Sequence, residues 1–153
     1  MCGITGFSLK NDLLGSEMIS NEKLAEILIN SSQLINHRGP DDEGSFIDYK
    51  SGIALAHRRL SILDTSRNGR QPMIHKNNKI SIIFNGEIYN FLELKKKLED
   101  YKKFNWRSNT DTEVLLNLYE YYVDFNLSID KFFQSLNGIF SIAIWDGFRQ
   151  ELI

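Results

Sequence analysis

The chain has 153 residues, a typical size for one domain that buries a substantial core. Its 42% hydrophobic and 25% charged residues and formal net charge of −2 fit an ordinary globular domain and do not favour a nucleic-acid partner. A lone cysteine rules out a disulfide within these residues and favours a reducing compartment, and no apolar run approaches the roughly 18 residues of a membrane helix. We therefore expect a cytoplasmic protein that does not contact a membrane.

That cysteine, Cys2, directly follows Met1. Removal of Met1 would place a thiol and a free α-amine on one residue. An α-amine has a pKa of roughly 7.7 to 8.0, and it can take the proton of the thiol directly or through one water, as in N-terminal nucleophiles. The alternative is an ordinary small apolar residue at the start of a strand, and position alone favours that interpretation.

The first part of the chain predicts a strand, a loop and a helix. Residues 3–9 mix β-formers with small residues and predict a strand that begins at the N-terminus. Residues 10–20 are polar and predict a loop. Apolar residues at helical spacing then predict a helix that is capped by Ser20 or Asn21 and ends before Pro40.

Two short apolar stretches, residues 45–49 and 53–57, are joined by a turn and predict a hairpin. Arg58 and Arg59 follow directly. A guanidinium binds a carboxylate bidentately, so one of the pair is a candidate clamp for the α-carboxylate of an amino acid. The alternative is an internal salt bridge or an exposed side chain, which the two residues alone favour.

Residues 80–84 form an apolar, β-branched run and predict a buried strand that ends at Asn85-Gly86-Glu87. Asn-Gly is a strong hairpin signal, so a simple turn is one interpretation. The other is an oxyanion hole, in which the Asn85 amide and the Gly86 N–H point at one developing negative charge.

Two helix starts and a last hairpin complete the predicted elements. Asn90 with a glutamate three residues later, and the capping box Thr110-Asp111-Thr112-Glu113, each predict the start of a helix. Capping explains Asp111 fully, although its carboxylate is also suited to a substrate ammonium group. Residues 139–145 predict a buried strand with a short return strand at 149–153. The sequence stops inside that element, so we expect a fragment or a truncated product with an unpaired strand edge.

Taken together, five segments in this order resemble the glutaminase domain of glutamine-hydrolysing asparagine synthetase, a class II glutamine amidotransferase. The segments are Met1-Cys2-Gly3-Ile4, His37-Arg38-Gly39-Pro40-Asp41, Ala56-His57-Arg58-Arg59-Leu60-Ser61-Ile62-Leu63-Asp64, Phe84-Asn85-Gly86-Glu87-Ile88-Tyr89-Asn90 and Thr110-Asp111-Thr112-Glu113. The resemblance implies an α+β N-terminal-nucleophile hydrolase fold, a four-layer α/β/β/α sandwich. Residues 1–153 would form one type 2 amidotransferase domain, truncated at its C-terminus and without the synthetase domain.

The resemblance also implies a role for each matching residue. Cys2 would be the nucleophile and its freed amine the base, while Asn85 and Gly86 would form the oxyanion hole. The remaining implied residues bind glutamine: Arg59 its carboxylate, Asp111 and Glu87 its ammonium group, and Leu60, Ser61, Ile62 and Leu63 the rest of the molecule.

The implied reaction converts glutamine to glutamate and ammonia through a γ-glutamyl thioester, and the ammonia serves ATP-dependent asparagine synthesis from aspartate. The partners are then glutamine and a synthetase domain or separate synthetase chain, with a homodimer left open. No cofactor is implied for this domain, since ATP and magnesium belong to the synthetase.

Three alternatives remain. One is an inert glutamine-binding or interaction module, which retention of Met1 would favour. Another is an amidotransferase subunit for a different acceptor, such as a cell-surface sugar. The last is a metal-dependent hydrolase using Cys2, His37, His57 and His75, whose spacings match no zinc pattern, so we expect no metal.

Overall fold

The computed structural model describes residues 2–9, 19–62 and 64–153. Most of the predicted loop at 10–20, together with Met1 and Leu63, lies outside the described residues. Strands and α-helices follow in the order β1 (Gly3–Ser8), α1 (Asn21–Leu34), β2 (Asp42–Asp48), β3 (Ile53–Arg59), β4 (Met73–Ile74), β5 (Ile80–Ile88), α2 (Phe91–Tyr101), α3 (Asp111–Asp124), α4 (Ile129–Gln134), β6 (Gly138–Asp146) and β7 (Glu151–Leu152). Short 3-10 helices span Asn36–Arg38 and Arg67–Gly69. Within the described ranges, none of these helices has the length and apolar character needed to cross a membrane.

The strands form two antiparallel sheets, in the orders β1-β3-β2 and β4-β5-β6-β7. In the second sheet β5 and β6 pair over their full lengths, from Ile80 opposite Asp146 to Ile88 opposite Gly138. The much shorter β4 pairs only with Ser81 and Ile82. The second half of β5 therefore extends past the end of β4, and one of its edges is not paired with β4.

The two sheets stack because side chains alternate along each strand. From β3, Ala54 and Ala56 pack on Leu28 of α1, where their small side chains let the helix approach closely. Ile53 and Leu55 point the other way, into a cluster with buried residues of the second sheet. The predicted hairpin at 45–57 is confirmed as β2 and β3.

The largest apolar cluster covers the opposite face of the second sheet. Ile82 and Phe84 of β5 pack there against Leu115 and Leu118 of α3, and Phe132 of α4 is fully buried among them. The layers are thus helix, sheet, sheet and helices. This order confirms the expected four-layer sandwich.

Side-chain caps fix where three of the helices begin. Ser20 accepts a hydrogen bond from the Lys23 N–H at 3.3 Å, and Thr110 and Ser128 act in the same way at the starts of α3 and α4. These contacts satisfy N–H groups that have no partner within the first turn of a helix. The predicted caps at Ser20 and Thr110 are therefore confirmed.

The predicted turn at Asn85-Gly86 is wrong, because β5 continues through it to Ile88. Asn85 lies opposite Ser141 and Gly86 opposite Phe140 in a regular ladder. A Cβ atom on Gly86 would lie 2.6 Å from the Phe140 Cα and closer still to the Ile139 carbonyl oxygen. The glycine allows a close approach between two strands, which is a different use from a hairpin turn.

Two capping predictions also fail in their details. The Asn90 side chain makes no cap hydrogen bond to α2; instead it donates to the Ser135 carbonyl and accepts from the Asn137 N–H, both at 2.9 Å. The side chain of Glu113 does not accept a hydrogen bond from the Thr110 N–H, as a capping box requires. Its buried carboxylate accepts from the backbone N–H groups of Arg107 and Ser108. Both side chains hold neighbouring loops.

The last predicted hairpin is confirmed as β6 and β7. Trp145 lies opposite Leu152 and Asp146 opposite Glu151. The Asp146 carboxylate is fully buried and accepts hydrogen bonds from the N–H groups of Phe148 and Arg149 in the connecting turn. The turn is therefore stabilised by a side chain at the end of β6.

Candidate active site

A cavity of about 350 Å³ lies at one end of the gap between the two sheets. Cys2 precedes β1 at this end, Arg59 is the last residue of β3, and Asn85 to Glu87 belong to the second half of β5. Side chains at Arg59 and Asn85 enter the gap because they share a strand face with Leu55 and Ile83, which pack between the sheets. The fold therefore brings residues far apart in sequence to one concave surface.

Among the described residues, all of the predicted site residues except Ser61 line this cavity. The predicted residues that line it are Cys2, Arg59, Leu60, Ile62, Asn85, Gly86, Glu87 and Asp111. Ser61 does not line it; its N–H donates to the Asp41 carboxylate at 2.8 Å, which turns the chain after β3. Leu63 lies outside the described residues.

Cys2 is anchored on two sides. The Leu60 N–H donates to the Cys2 sulfur at 3.3 Å, and the Leu60 carbonyl oxygen lies 3.6 Å from the same sulfur. The Cys2 carbonyl oxygen accepts from both Nε and Nη2 of Arg38, each at 3.3 Å. The thiol is thus held at the edge of the cavity by the chain that leaves β3.

The two neighbouring arginines have different partners. Arg58 forms a salt bridge with Glu43 on the adjacent strand, which is the internal pairing that the sequence alone favoured. Arg59 is 6% exposed, and its guanidinium donates to the backbone carbonyls of Ser66, at 2.8 Å, and of Asp64. Within the described residues no carboxylate lies within salt-bridge distance of Arg59. The cavity therefore has a buried cation that is oriented but not neutralised by an ion pair.

Backbone N–H groups along one edge of β5 point away from β6, on the side of the cavity. Along an antiparallel strand these groups point alternately to either side. The Phe84 N–H donates to Gln71 Oε1 at 2.6 Å, and the Ile88 N–H donates to Asp111 Oδ2 at 3.2 Å, so both point away from β6. The same alternation directs the N–H of Gly86, midway between them, away from β6 and toward the cavity.

The acidic end of the cavity consists of Asp111 and Glu87. Asp111 is the first residue of α3 and is 4% exposed, whereas Glu87 is exposed. Burial raises the pKa of the Asp111 carboxyl above its ordinary value, and the nearby charge of Glu87 raises it further. A cation bound here would relieve that penalty.

Sequence reasoning missed several residues of this cavity. Gln71 and Thr112 are both buried and hydrogen-bonded to each other, and Tyr89 and Ile139 are exposed at its border. A glutamine in a polar stretch before a proline has no periodic pattern that indicates burial. Thr112 lies inside a capping box, which already explained the segment.

The residues of the metal hypothesis do not converge. The described part of the chain contains no group of three or more His, Cys, Asp and Glu side chains arranged to hold a metal ion. His75 contacts Glu120 at 3.2 Å, while His57 lies between the sheets with its Nε2 3.1 Å from the Phe84 carbonyl oxygen. Burial lowers the pKa of His57 to about 4, so its ring is neutral at pH 7 and Nε2–H is the donor.

A family model described as "Glutamine amidotransferase domain" matches residues 1–153. The chain belongs to this family. Among curated relatives, it is 39% identical to asparagine synthetase [glutamine-hydrolyzing] 1 of Bacillus subtilis over 95% of this chain and 21% of that protein. It is 38% identical to a putative asparagine synthetase [glutamine-hydrolyzing] 2 of Methanocaldococcus jannaschii, over 95% of this chain and 28% of that protein. It is also 36% identical to the amidase chry2 of Gibberella zeae, over 100% of this chain and 22% of that protein.

This glutamine amidotransferase domain thus spans 21% to 28% of the length of these relatives. Among solved structures it resembles the glutamine phosphoribosylpyrophosphate amidotransferase of B. subtilis, with a TM-score of 0.50 and 25% identity. That likeness covers 64% of this chain and 22% of the other. It agrees with the N-terminal-nucleophile hydrolase architecture of stacked sheets between helical layers.

Proposed function

We propose that this domain hydrolyses the side-chain amide of glutamine, with Cys2 as the nucleophile after removal of Met1. The observation that carries the proposal is a single cavity lined by a thiol, an oriented guanidinium, a buried carboxylate and the free edge of a strand. Each of these groups corresponds to one part of glutamine. The match to a glutamine amidotransferase family model supports the same substrate.

Substrate orientation follows from the opposite charges of Arg59 and Asp111, which both line the cavity. Arg59 has no carboxylate partner among the described residues, so its guanidinium is available to the α-carboxylate of glutamine. Asp111, with its pKa raised by burial, gains from an ammonium group beside it, and Glu87 adds a second negative charge. A zwitterionic amino acid bound in this way extends its side chain along the free edge of β5, toward the thiol.

The reaction needs only groups of this chain and water. The free α-amine of Cys2 takes the thiol proton, and the sulfur attacks the side-chain carbonyl carbon of glutamine. The resulting oxyanion accepts hydrogen bonds from the Asn85 amide and the Gly86 N–H. Its collapse breaks the carbon–nitrogen bond, and the protonated amine supplies the proton with which ammonia leaves. Water, activated by the same amine, then cleaves the γ-glutamyl thioester to glutamate and regenerates the thiol.

The released ammonia supplies ATP-dependent synthesis of asparagine from aspartate, in a synthetase domain or a separate synthetase chain. The support is the likeness to asparagine synthetases, which match 95% of this chain and extend well beyond it. ATP and magnesium belong to that synthetase. A second candidate is use of the nitrogen outside asparagine synthesis, with a different acceptor. The 36% and 35% identity to amidases of Gibberella zeae and Penicillium rubens favours it only in that these relatives are not asparagine synthetases.

The test combines intact mass with ammonia release. We expect the purified chain to lack one methionine residue and to release ammonia from glutamine, and Cys2→Ala to abolish the release while glutamine still raises its melting temperature. Ammonia release that survives Cys2→Ala would rule out the mechanism. A chain that retains Met1, binds glutamine and releases no ammonia would show an inert binding module instead.

A further inference from the structure

A chain of side-chain hydrogen bonds runs along the free edge of β5. Gln71 is 6% exposed, and its Oε1 accepts from the Phe84 N–H at 2.6 Å while its Nε2 donates to Thr112 Oγ1 at 3.1 Å. Thr112 Oγ1 lies 3.5 Å from Asp111 Oδ1, and Asp111 Oδ2 accepts from the Ile88 N–H at 3.2 Å. The chain begins and ends on the same strand. We name it the edge clamp, comprising Gln71, Thr112 and Asp111.

The edge clamp supplies the hydrogen-bond acceptors that a neighbouring strand would give to the second half of β5. Because β4 pairs only with Ser81 and Ile82, the N–H groups of residues 84, 86 and 88 on that edge have no strand beside them in the described part of the chain. Phe84 and Ile88 are 3% and 2% exposed, so their N–H groups require partners. The clamp binds these two N–H groups. The one between them, Gly86, remains directed at the cavity.

We propose that Gln71 and Thr112 are positioning residues that fix the Gly86 N–H and the Asp111 carboxylate at the same time. This inference rests on the proposed function for its effect on catalysis, although the clamp itself can be measured without substrate. Gln71 acts on the oxyanion donor through Phe84, two residues earlier on the strand. Thr112 acts on the ammonium-binding carboxylate through its hydroxyl group. The clamp therefore connects the Gly86 N–H, at the side-chain end of the bound glutamine, with the Asp111 carboxylate, at its ammonium end.

Different substitutions should affect different kinetic constants. Gln71→Met keeps the length of the side chain but removes both hydrogen bonds, and we expect kcat to fall by about 10-fold or more, the value of one lost bond in the transition state. Thr112→Val removes only the hydroxyl, and we expect a rise of several-fold in the KM for glutamine with kcat retained. Thr112→Ser restores the hydroxyl and should restore KM.

A double substitution and a control complete the kinetic test. In Gln71→Met the bond to Thr112 is already lost, so adding Thr112→Val should change KM less than it does in the wild-type background. Leu28 packs on the outer face of the first sheet, away from the cavity. Leu28→Ala should therefore lower the stability of the fold and leave kcat and KM unchanged. Equal effects of Thr112→Ser and Thr112→Val, or a Gln71→Met variant within about twofold of wild type, would overturn the proposal.

Amide hydrogen exchange gives a readout without glutamine. In Gln71→Met we expect faster exchange at Phe84, by about 10-fold, while Ile82, which pairs with β4, exchanges as in wild type. Unchanged exchange at Phe84 would overturn the edge clamp whatever the activity. If the wild-type protein releases no ammonia from glutamine while Phe84 still exchanges faster in Gln71→Met, the result would refute the proposed function and support the clamp.

Discussion

His57 should make the stability of this fold depend on pH between about 6.5 and 4. Its side chain is 0% exposed between the sheets, and its Nε2–H donates to the Phe84 carbonyl oxygen at 3.1 Å. Burial is the main reason that its pKa falls from 6.5 to about 4, and the positive charge of Arg59 lowers it further. In the described part of the chain its Nδ1 has no hydrogen-bond partner, so a second ring proton would be buried without an acceptor.

The sign and size of the effect follow from proton linkage. Between about pH 6.5 and 4 the unfolded chain binds a proton at His57 and the folded chain does not, so the free energy of unfolding decreases as pH falls. The contribution is fully present above about pH 6.5 and is lost once pH falls below about 4. The difference between these two pKa values corresponds to about 3 kcal/mol, a large part of the stability of a small domain.

Urea unfolding followed by tryptophan fluorescence, at a series of pH values, measures this contribution. His57→Gln retains an N–H donor for the Phe84 carbonyl but cannot titrate. The stability difference between wild type and this variant should therefore shrink by about 3 kcal/mol from pH 7 to pH 4. Asp111 titrates in both proteins, so its opposite contribution cancels in the difference.

His75→Gln is the matched control, because His75 is also buried but has Glu120 beside its ring. Parallel stability profiles for wild type and His57→Gln would refute the reasoning. If His57→Gln does not fold, the ring signals of His57 in the wild-type protein decide the question by NMR. A titration midpoint near pH 6.5 would show that burial does not control this residue.

Substitutions in the cavity should separate binding from chemistry, read by steady-state ammonia release with thermal melting as a check on folding. Asn85→Ala should lower kcat by about 10²- to 10³-fold with little change in KM, because it removes a proposed oxyanion donor. Arg59→Lys should raise the KM for glutamine by about 10-fold, since one ammonium cannot hold both the 64–66 loop and a carboxylate. Asp111→Asn should also raise KM, and an unchanged KM in either variant would contradict the proposed substrate orientation. Gly86→Ala should melt at a lower temperature than Asn85→Ala, because its Cβ would collide with Phe140.

The sequence predicts those parts of the fold and site that depend on local periodicity. A short apolar stretch locates β3, and the alternation of side chains along a strand explains why Arg59 faces the cavity while Arg58 pairs with Glu43. Capping residues locate the starts of α1 and α3. Cys2 was a candidate from its position, and its proximity to Leu60 follows from the pairing of β1 with β3.

What the sequence does not predict depends on how distant segments meet. Asn85-Gly86 has the composition of a turn, and only the close approach of β6 makes Gly86 part of a strand. Gln71 is polar in a polar stretch. It becomes buried because β4 begins only at Met73 and leaves the Phe84 N–H to the Gln71 side chain, and no local pattern indicates this. Glu113 and Asn90 bind loops rather than their own helix ends, because those loops supply competing backbone groups.

The anchoring of Cys2 is compatible with a catalytic role for its amine. Arg38 binds the Cys2 carbonyl oxygen, and Leu60 contacts the sulfur. Neither contact uses the backbone nitrogen, so these anchors do not depend on whether Met1 is attached. Removal of Met1 would therefore free the proposed base while these anchors still hold the proposed nucleophile. When one residue carries both the base and the nucleophile, no second side chain is required as a base. This is consistent with His57, which is buried and neutral and whose Nε2–H is bonded to the Phe84 carbonyl oxygen.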